Sequence, residues 1–278
     1  MFGRKAKQSH DEKWRDVLTG ETRGHICWAP WMRRLSRAIP SDPRCKLCDG
    51  PFGPPGNILR VLGFGPSTIN RRICRHCVGA LEKNPGGAEV EISFLFADVR
   101  GSTALAEGMS AGEFSQLMAR FYGAAAHVVD ARNGIVDKFV GDQVVALFIP
   151  GFAGSDHASD AIDAAHELLT KTGHGDEVPW IPLGAAVHTG VAYVGTIGEG
   201  DALDFTALGD SVNTAARLAS NAGVGEILVS STAASAAQLD TAGLEGRTLA
   251  LRGRAETVEA WVATQRTPPT AKSLAPVG

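Results

Sequence analysis

Phe94-Leu95-Phe96-Ala97-Asp98-Val99-Arg100-Gly101-Ser102-Thr103 decides how this chain is read. An apolar run ends in a carboxylate, and a turn follows in which Gly101 leaves backbone N–H groups accessible beside Ser102 and Thr103. A strand of this kind delivers a hard oxygen ligand to its tip, next to a loop that can approach phosphate closely. Further on, Lys138-Phe139-Val140-Gly141-Asp142 repeats the arrangement: apolar residues before a turn, and an aspartate at it. Two acids at two strand ends are what a two-metal phosphoryl or nucleotidyl transfer site requires.

The pair resembles the class III nucleotide cyclases, whose metal-binding aspartates lie in F-x-D-x-x-G-S/T and K-x-x-G-D runs. Two further stretches extend the resemblance. Asp204-Phe205-Thr206-Ala207-Leu208-Gly209-Asp210 matches the next landmark, and Val212-Asn213-Thr214-Ala215-Ala216-Arg217 is similar to the V-N-x-A-x-R signature. The resemblance runs from about Glu91 to Ala263 and rests on three motifs in order, each weak alone. It implies an adenylate cyclase that converts ATP to 3′,5′-cyclic AMP and pyrophosphate. By resemblance, Asp98 and Asp142 hold two Mg²⁺ or Mn²⁺ ions per site, and the backbone of Val99, Arg100, Gly101, Ser102 and Thr103 cradles phosphate. Lys138 and Thr206 read the purine, Asn213 orients the ribose, and Arg217 meets charge building on the α-phosphate. Arg254 is the candidate phosphate-binding base.

Guanine-specific members place Glu at the Lys138 position, so Lys138 argues for ATP. Many adenylate-specific members carry Asp where this chain has Thr206; threonine there resembles the subgroup that responds to bicarbonate, which makes bicarbonate a candidate regulator. The family divides its site between subunits, which implies a head-to-tail homodimer with two equivalent sites. Taken singly, these residues have blander readings. A lone Asp forms turns or caps, Lys138 snorkels from a strand edge, Asn213 and Arg217 are a surface pair four apart on a helix, and Asp210 is an N-cap. His188 reads as structural.

With 278 residues, 44% of them hydrophobic, the chain can build one full-sized core and a smaller module. Four of the five cysteines form two C-x-x-C pairs, Cys45/Cys48 and Cys74/Cys77. Such pairs close a tetrahedral shell, so a structural Zn²⁺ site is expected, ahead of an iron–sulfur or redox site. The Gly- and Pro-rich segment between the pairs buries little, so the metal would supply much of the folding energy. Cys27 is the odd thiol, read as buried; His25 and His76 are spare ligand candidates. No apolar h-region follows the N-terminus and no run is long enough to span a bilayer, so a soluble cytoplasmic protein is expected. Residues 1–85 carry 16 Lys and Arg against 7 Asp and Glu, and the rest 11 against 23. That asymmetry suggests modules with different partners. Trp28, Trp31 and Met32 among Arg33, Arg34 and Arg37 read as packing on a neighbouring domain rather than as a nucleic-acid or membrane surface. Nucleic acid is not an expected partner. The rivals are a guanylate cyclase, a nucleotide-sensing protein without turnover, and a zinc-dependent nucleic-acid binder.

The pattern gives an N-terminal segment over 1–40 with a short helix near Lys13–Leu18, a zinc module over 41–85, a cyclase domain over 89–265 and a disordered tail over 266–278. Asn84-Pro85-Gly86-Gly87 reads as a linker. Strands are expected over Glu91–Ala97, Ile135–Val140, Val144–Phe148, Leu183–Val187, Ala192–Ile197, Ile227–Ser230, Leu249–Leu251 and Val258–Val262. Helices are expected after the capping box Ser110/Glu113 and over Asp156–Thr172, Ser211–Asn221 and Ser231–Leu239. The fold class is α/β (α+β), a ferredoxin-like βαββαβ core with a small N-terminal zinc-binding module.

Overall fold

In the computed structural model the described residues are 9–21, 39, 44–45, 48, 50–55, 58, 65–67, 73–175, 178–199, 204–250 and 257–264. The helices, in chain order, are α1 (His10–Thr19), α2 (Arg75–Lys83), α3 (Ser102–Glu107), α4 (Ala111–Ala131), α5 (Pro150–Ala153), α6 (His157–Lys171), α7 (Asp210–Ser220) and α8 (Ser231–Ala236). The strands are β1 (Gly87–Val99), β2 (Ile135–Val140), β3 (Gln143–Phe148), β4 (Leu183–Ile197), β5 (Asp204–Leu208), β6 (Glu226–Ser230), β7 (Glu245–Leu249) and β8 (Val258–Thr264). Among the described residues no helix is long and apolar enough to cross a membrane. The chain divides into two compact units, one of Met1–Val90 with Tyr193–Ala207, the other of Glu91–Ala192 with Leu208–Gly278.

The larger unit is the expected ferredoxin-like core with additions. Its sheet runs β2-β3-β1-β4-β6-β8-β7. Strands β2, β3 and β1 pair antiparallel, and β4 and β6 pair parallel. β1 is central and buried on both faces, which explains its unbroken apolar run Phe94-Leu95-Phe96-Ala97. One apolar cluster joins Leu95, Ala97 and Val99 of β1 to Met118, Phe121, Ala125 and Val128 of α4 and to Ile162, Leu168 and Leu169 of α6. The α4 residues recur at three- and four-residue spacing, so one stripe faces the sheet. The predicted capping box starts that helix: Ser110 Oγ accepts from the Glu113 amide at 3.3 Å, and the Glu113 carboxylate accepts from the Ser110 amide at 2.8 Å.

The structure corrects several boundaries. The two strands expected around His188-Thr189-Gly190 are one strand, β4. Buried hydroxyls keep the polar residues in line. His188 Nδ1 lies 3.0 Å from Ser230 Oγ, and Thr189 Oγ1 lies 2.6 Å from Ser93 Oγ. At Gly190 a Cβ would meet Ser211 Oγ at 2.5 Å, so a larger residue there would displace the Ser211 side chain. Helix α8 stops at Ala236, ahead of Gln238 with its positive φ of 51°. β7 ends at Leu249, and Leu251 lies outside the described residues. Gly101 has φ +67°, and the expected phosphate loop passes directly into α3.

The smaller unit contains α1, α2, the bridges Arg44–Pro51 and Pro66–Cys74, and the arm formed by the far end of β4 and β5. The short helix expected near Lys13 is α1. It has a capping box of its own, Ser9 with Glu12, and a left-handed Gly20 at its end. Its apolar contribution is Trp14 and Leu18, four apart and both buried. The expected linker is structured: Asn84 caps α2 and Gly87 already belongs to β1.

Candidate active site

Asp98 leaves the tip of β1 opposite Gln143 of β3, and the Val99 amide donates to the Asp142 carbonyl at 3.2 Å. The two aspartates predicted from the motifs are therefore neighbours across one edge of the sheet. Asp142 sits in a two-residue hairpin loop between Val140 and Gln143. Gly141 occupies the first loop position with φ +60°, a conformation that favours glycine, and nothing lies within 4 Å of where its Cβ would be. Partial burial raises the Asp98 pKa, and the negative Asp142 adds to the rise; the Arg100 guanidinium opposes both.

A cavity of about 690 Å³ opens beside Asp142. Ser102 and Thr103 of α3 and Met118 and Tyr122 of α4 are among its walls. Tyr122 carries no sequence motif, yet it holds the hairpin. Its hydroxyl donates to the Gly141 carbonyl, and its ring stacks on Phe139 at 4.3 Å between centroids. Burial and the nearby Asp142 raise its pKa. Arg100 was expected to contribute backbone only. Its side chain instead pairs with the Asp98 carboxylate and donates to the carbonyls of Ser220, the last residue of α7, at 3.3 Å and of Ala222, just past it, at 3.4 Å. It thus ties the first acid to the C-terminal end of the helix that carries Asn213 and Arg217, where a cation is favoured.

Lys138 lies on β2 next to a register shift, and its ammonium is 3.3 Å from Asp137, whose side chain is buried. Asn213 is exposed on α7, and Arg217, one turn on, is half-buried. Lys138, Asn213 and Arg217 do not line the cavity beside Asp142. Thr206 belongs to the other unit, on β5, where it is 5% exposed. Arg254 lies outside the described residues, as do His25, Cys27, Trp28, Trp31, Met32, Arg33, Arg34, Arg37 and the 266–278 tail.

The chain belongs to the adenylate and guanylate cyclase catalytic domain family, whose model matches residues 87–263. The cyclase domain is 29% identical over 116 residues to an adenylate cyclase of Anabaena cylindrica, covering 38% of this chain and 22% of that one. It is 30% identical over 114 residues to adenylate cyclase 1 of Rhizobium meliloti, covering 39% and 17%. The matches thus span about a fifth of those relatives. Among solved structures, a guanylyl cyclase superposes with TM-score 0.57 at 30% identity, covering 64% of this chain and 93% of that one. The adenylyl cyclase CyaB from P. aeruginosa superposes with TM-score 0.54 at 25% identity, covering 66% and 98%. Neighbours of both nucleotide classes share the fold.

The four cysteines of the smaller unit converge. Their sulfurs all lie within 4.8 Å of one another and all four residues are buried. Cys45 and Cys77 sulfurs are 3.8 Å apart, and those of Cys48 and Cys74 are 3.7 Å apart. That is far beyond the roughly 2.05 Å of a disulfide. It matches the edge, roughly 3.8 Å, of a tetrahedron built on zinc–sulfur distances near 2.3 Å. Burial opposes ionisation of Cys45, but hydrogen bonds from Cys48, Cys74, Cys77 and the Cys74 amide hold its pKa below the ordinary value. Cys48, bonded to Cys45 and Cys74, is driven upward. Four sulfurs converging in so small a space are a set that could hold a metal ion. His76 is exposed on α2, outside this cluster.

Proposed function

We propose that this chain is an adenylate cyclase acting as a head-to-tail homodimer, with a structural zinc at Cys45, Cys48, Cys74 and Cys77. The observation that supports it most is the juxtaposition of Asp98 with Asp142 beside a cavity that also exposes Ser102 and Thr103. Two carboxylates and two hydroxyls are hard oxygen donors, which fits Mg²⁺ or Mn²⁺. Two such ions held by Asp98 and Asp142 would supply charge neutralisation at the triphosphate and acidify the ribose 3′-hydroxyl.

The reaction joins the 3′-oxygen to the α-phosphorus and breaks the bond to pyrophosphate, with the hydroxyl proton lost to solvent. Backbone groups of Val99, Arg100, Gly101, Ser102 and Thr103 hold phosphate oxygens in the ground state. Arg217 presents a planar fork of donors to the α-phosphate, where charge grows in the transition state, and Asn213 fixes the ribose. Lys138 donates to the adenine ring, steered by Asp137. Thr206 is the second reader; a hydroxyl both donates and accepts, so it discriminates between purines less than a carboxylate. Arg254 remains the candidate phosphate-binding base. The separation of Lys138, Asn213 and Arg217 from the cavity beside Asp142 supports a site completed by a second copy.

Turnover of ATP and GTP with Mg²⁺ and with Mn²⁺ tests the reading. ATP is expected to give cyclic AMP, and Asp98→Ala should lower the rate by roughly 10²–10³-fold, the scale of lost charge stabilisation at the reacting phosphate. Mixing Asp98→Ala with Asn213→Ala subunits should restore activity. Exclusive turnover of GTP would replace adenylate by guanylate cyclase; no turnover of either would leave a nucleotide sensor. Equal initial rates in bicarbonate and chloride at fixed pH would exclude bicarbonate as the activator.

A further inference from the structure

Within the smaller unit, α1 is built into the arm of the cyclase domain. Trp14, 2% exposed, stacks on Phe205 of β5 with ring centroids 6.4 Å apart and planes 20° from parallel. One turn earlier, His10 Nε2 is 2.9 Å from the Pro85 carbonyl and 3.3 Å from Trp14 Nε1. One nitrogen cannot donate to the first and accept from the second at once, and the shorter contact makes it the donor to Pro85. The next residue, Gly86, is locked to the arm on its other side. Its amide donates to Thr196 Oγ1 at 2.7 Å, and its carbonyl accepts from the Thr196 amide at 2.8 Å.

Three glycines permit this close stack. A Cβ on Gly86 would meet His10 Nε2 at 2.7 Å and Trp14 Nε1 at 2.8 Å. A Cβ on Gly87 would meet the Val194 carbonyl at 2.4 Å, and one on Gly195 the Gly86 carbonyl at 2.3 Å. The clashes at Gly87 and Gly195 are with backbone, which cannot step aside. α1, the Pro85–Gly87 segment and the arm therefore form three layers in direct contact, the last two meeting backbone to backbone at Gly86, Gly87 and Gly195.

We infer that α1 is a brace for the strand that presents Thr206, so that Trp14 is a positioning residue for purine recognition. Neighbouring residues of a strand face opposite sides. Trp14 packs against Phe205 on one face of β5, and the following residue, Thr206, faces the other way. A stacked aromatic pair fixes both the height and the tilt of the strand at that point. Loss of the indole frees Phe205 to turn and lets Thr206 shift with it. The role in base selection rests on the adenylate cyclase reading; the brace itself does not.

The test uses the full chain. Amide hydrogen exchange is compared for wild type, Trp14→Ala and Trp14→Phe, and the kcat/KM ratio for ATP over GTP is measured on the same proteins. Trp14→Ala is expected to speed exchange in 193–197 and 204–207 by about tenfold, with 135–148 unchanged, and to move the nucleotide ratio by about tenfold; Trp14→Phe restores most of both. In the Trp14→Ala/Thr206→Ala double variant the ratio should equal that of Thr206→Ala alone, because the brace acts through Thr206. Gly195→Ala, which wedges the arm off Gly86 while leaving α1 intact, should reproduce the phenotype if Trp14→Ala does not fold. Unchanged arm exchange in a folded Trp14→Ala overturns the brace, as does unchanged arm exchange in Gly195→Ala where Trp14→Ala does not fold, whatever the activity. A loosened arm with an unchanged ATP-to-GTP ratio, or full additivity with Thr206→Ala, overturns the positioning role. If wild type turns over neither nucleotide, the cyclase reading falls, and the exchange data still decide the brace.

Discussion

From Glu91 onward the chain packs Phe121, Phe148, Leu168 and Val229 into one continuous apolar interior. Among its described residues the smaller unit buries Trp14, Leu18, Phe52, Ile73, Leu81, Val90 and Val194 together with the four cysteines. The larger unit is thus held by area removed from water, at roughly 25 cal/mol per Å². Among the described residues the smaller one has less apolar surface for that, and the Gly- and Pro-rich stretch between the C-x-x-C pairs contributes Phe52 and Ile73. It has close backbone contact at Gly86, Gly87 and Gly195 and, on the proposed reading, a zinc cross-link through its four cysteines. Two ways of holding a chain together should fail under different challenges.

The largest contrast should come from metal removal. Structural zinc in small cysteine sites is worth about 10–16 kcal/mol of apparent binding energy near pH 7. Stripping the chain with a strong chelator should therefore abolish amide protection in 74–83, while 144–148 of β3 keep theirs. Elemental analysis of the untreated protein should give one zinc per chain, and a metal-free chain with α2 fully protected would contradict the zinc assignment. The converse challenge is Phe121→Ala. It empties the centre of the larger interior and should cost about 3–5 kcal/mol, read as a lower urea midpoint with zinc content unchanged. A shift of the zinc-bound unit in the same transition would show that the two regions unfold as one.

Acid should separate them least. Burial lowers the pKa of His157, His166 and His174, all in the larger unit, although Glu91 near His157 and Asp163 near His166 push the other way. A histidine harder to protonate in the folded state than in the unfolded one leaves the unfolded chain holding more protons. Its contribution is complete above the ordinary value of about 6.5 and declines as pH falls through it towards the folded value. Thermal midpoints should drop between pH 7.5 and 5.5, and His157→Gln should flatten that slope. A slope unchanged by the substitution would move the acid sensitivity elsewhere.

Motifs whose members lie close along the chain were legible residue by residue. The Ser110/Glu113 cap, the Gly141-Asp142 turn and the helical stripe from Phe114 to Val129 obey local rules, and the structure follows them. The two C-x-x-C pairs were legible for a related reason, since few other roles place four thiols at that spacing. Tyr122, Asp137 and the side chain of Arg100 were not. Each acts on a partner by direction as much as by distance: Tyr122 on a carbonyl nineteen residues away, Asp137 on Lys138 through a bulge, and Arg100 on Asp98 and the far end of α7. Nothing in periodicity encodes those directions. The break expected at His188-Thr189-Gly190 failed for the same reason, because hydroxyls from three other elements let a polar tripeptide continue a buried strand.

Amino-acid order alone was sufficient for the element types and the ferredoxin-like arrangement, because these follow from short-range stereochemistry, and it singled out the paired aspartates, through a family resemblance, and the cysteine set as candidates. It could not say that Asp98 and Asp142 share an edge of the sheet, that Arg100 joins the first of them to α7, or that α1 lies against the arm at Phe205. Those depend on which surfaces meet once the chain has closed on itself, and contacts between distant residues are set by packing rather than by spacing.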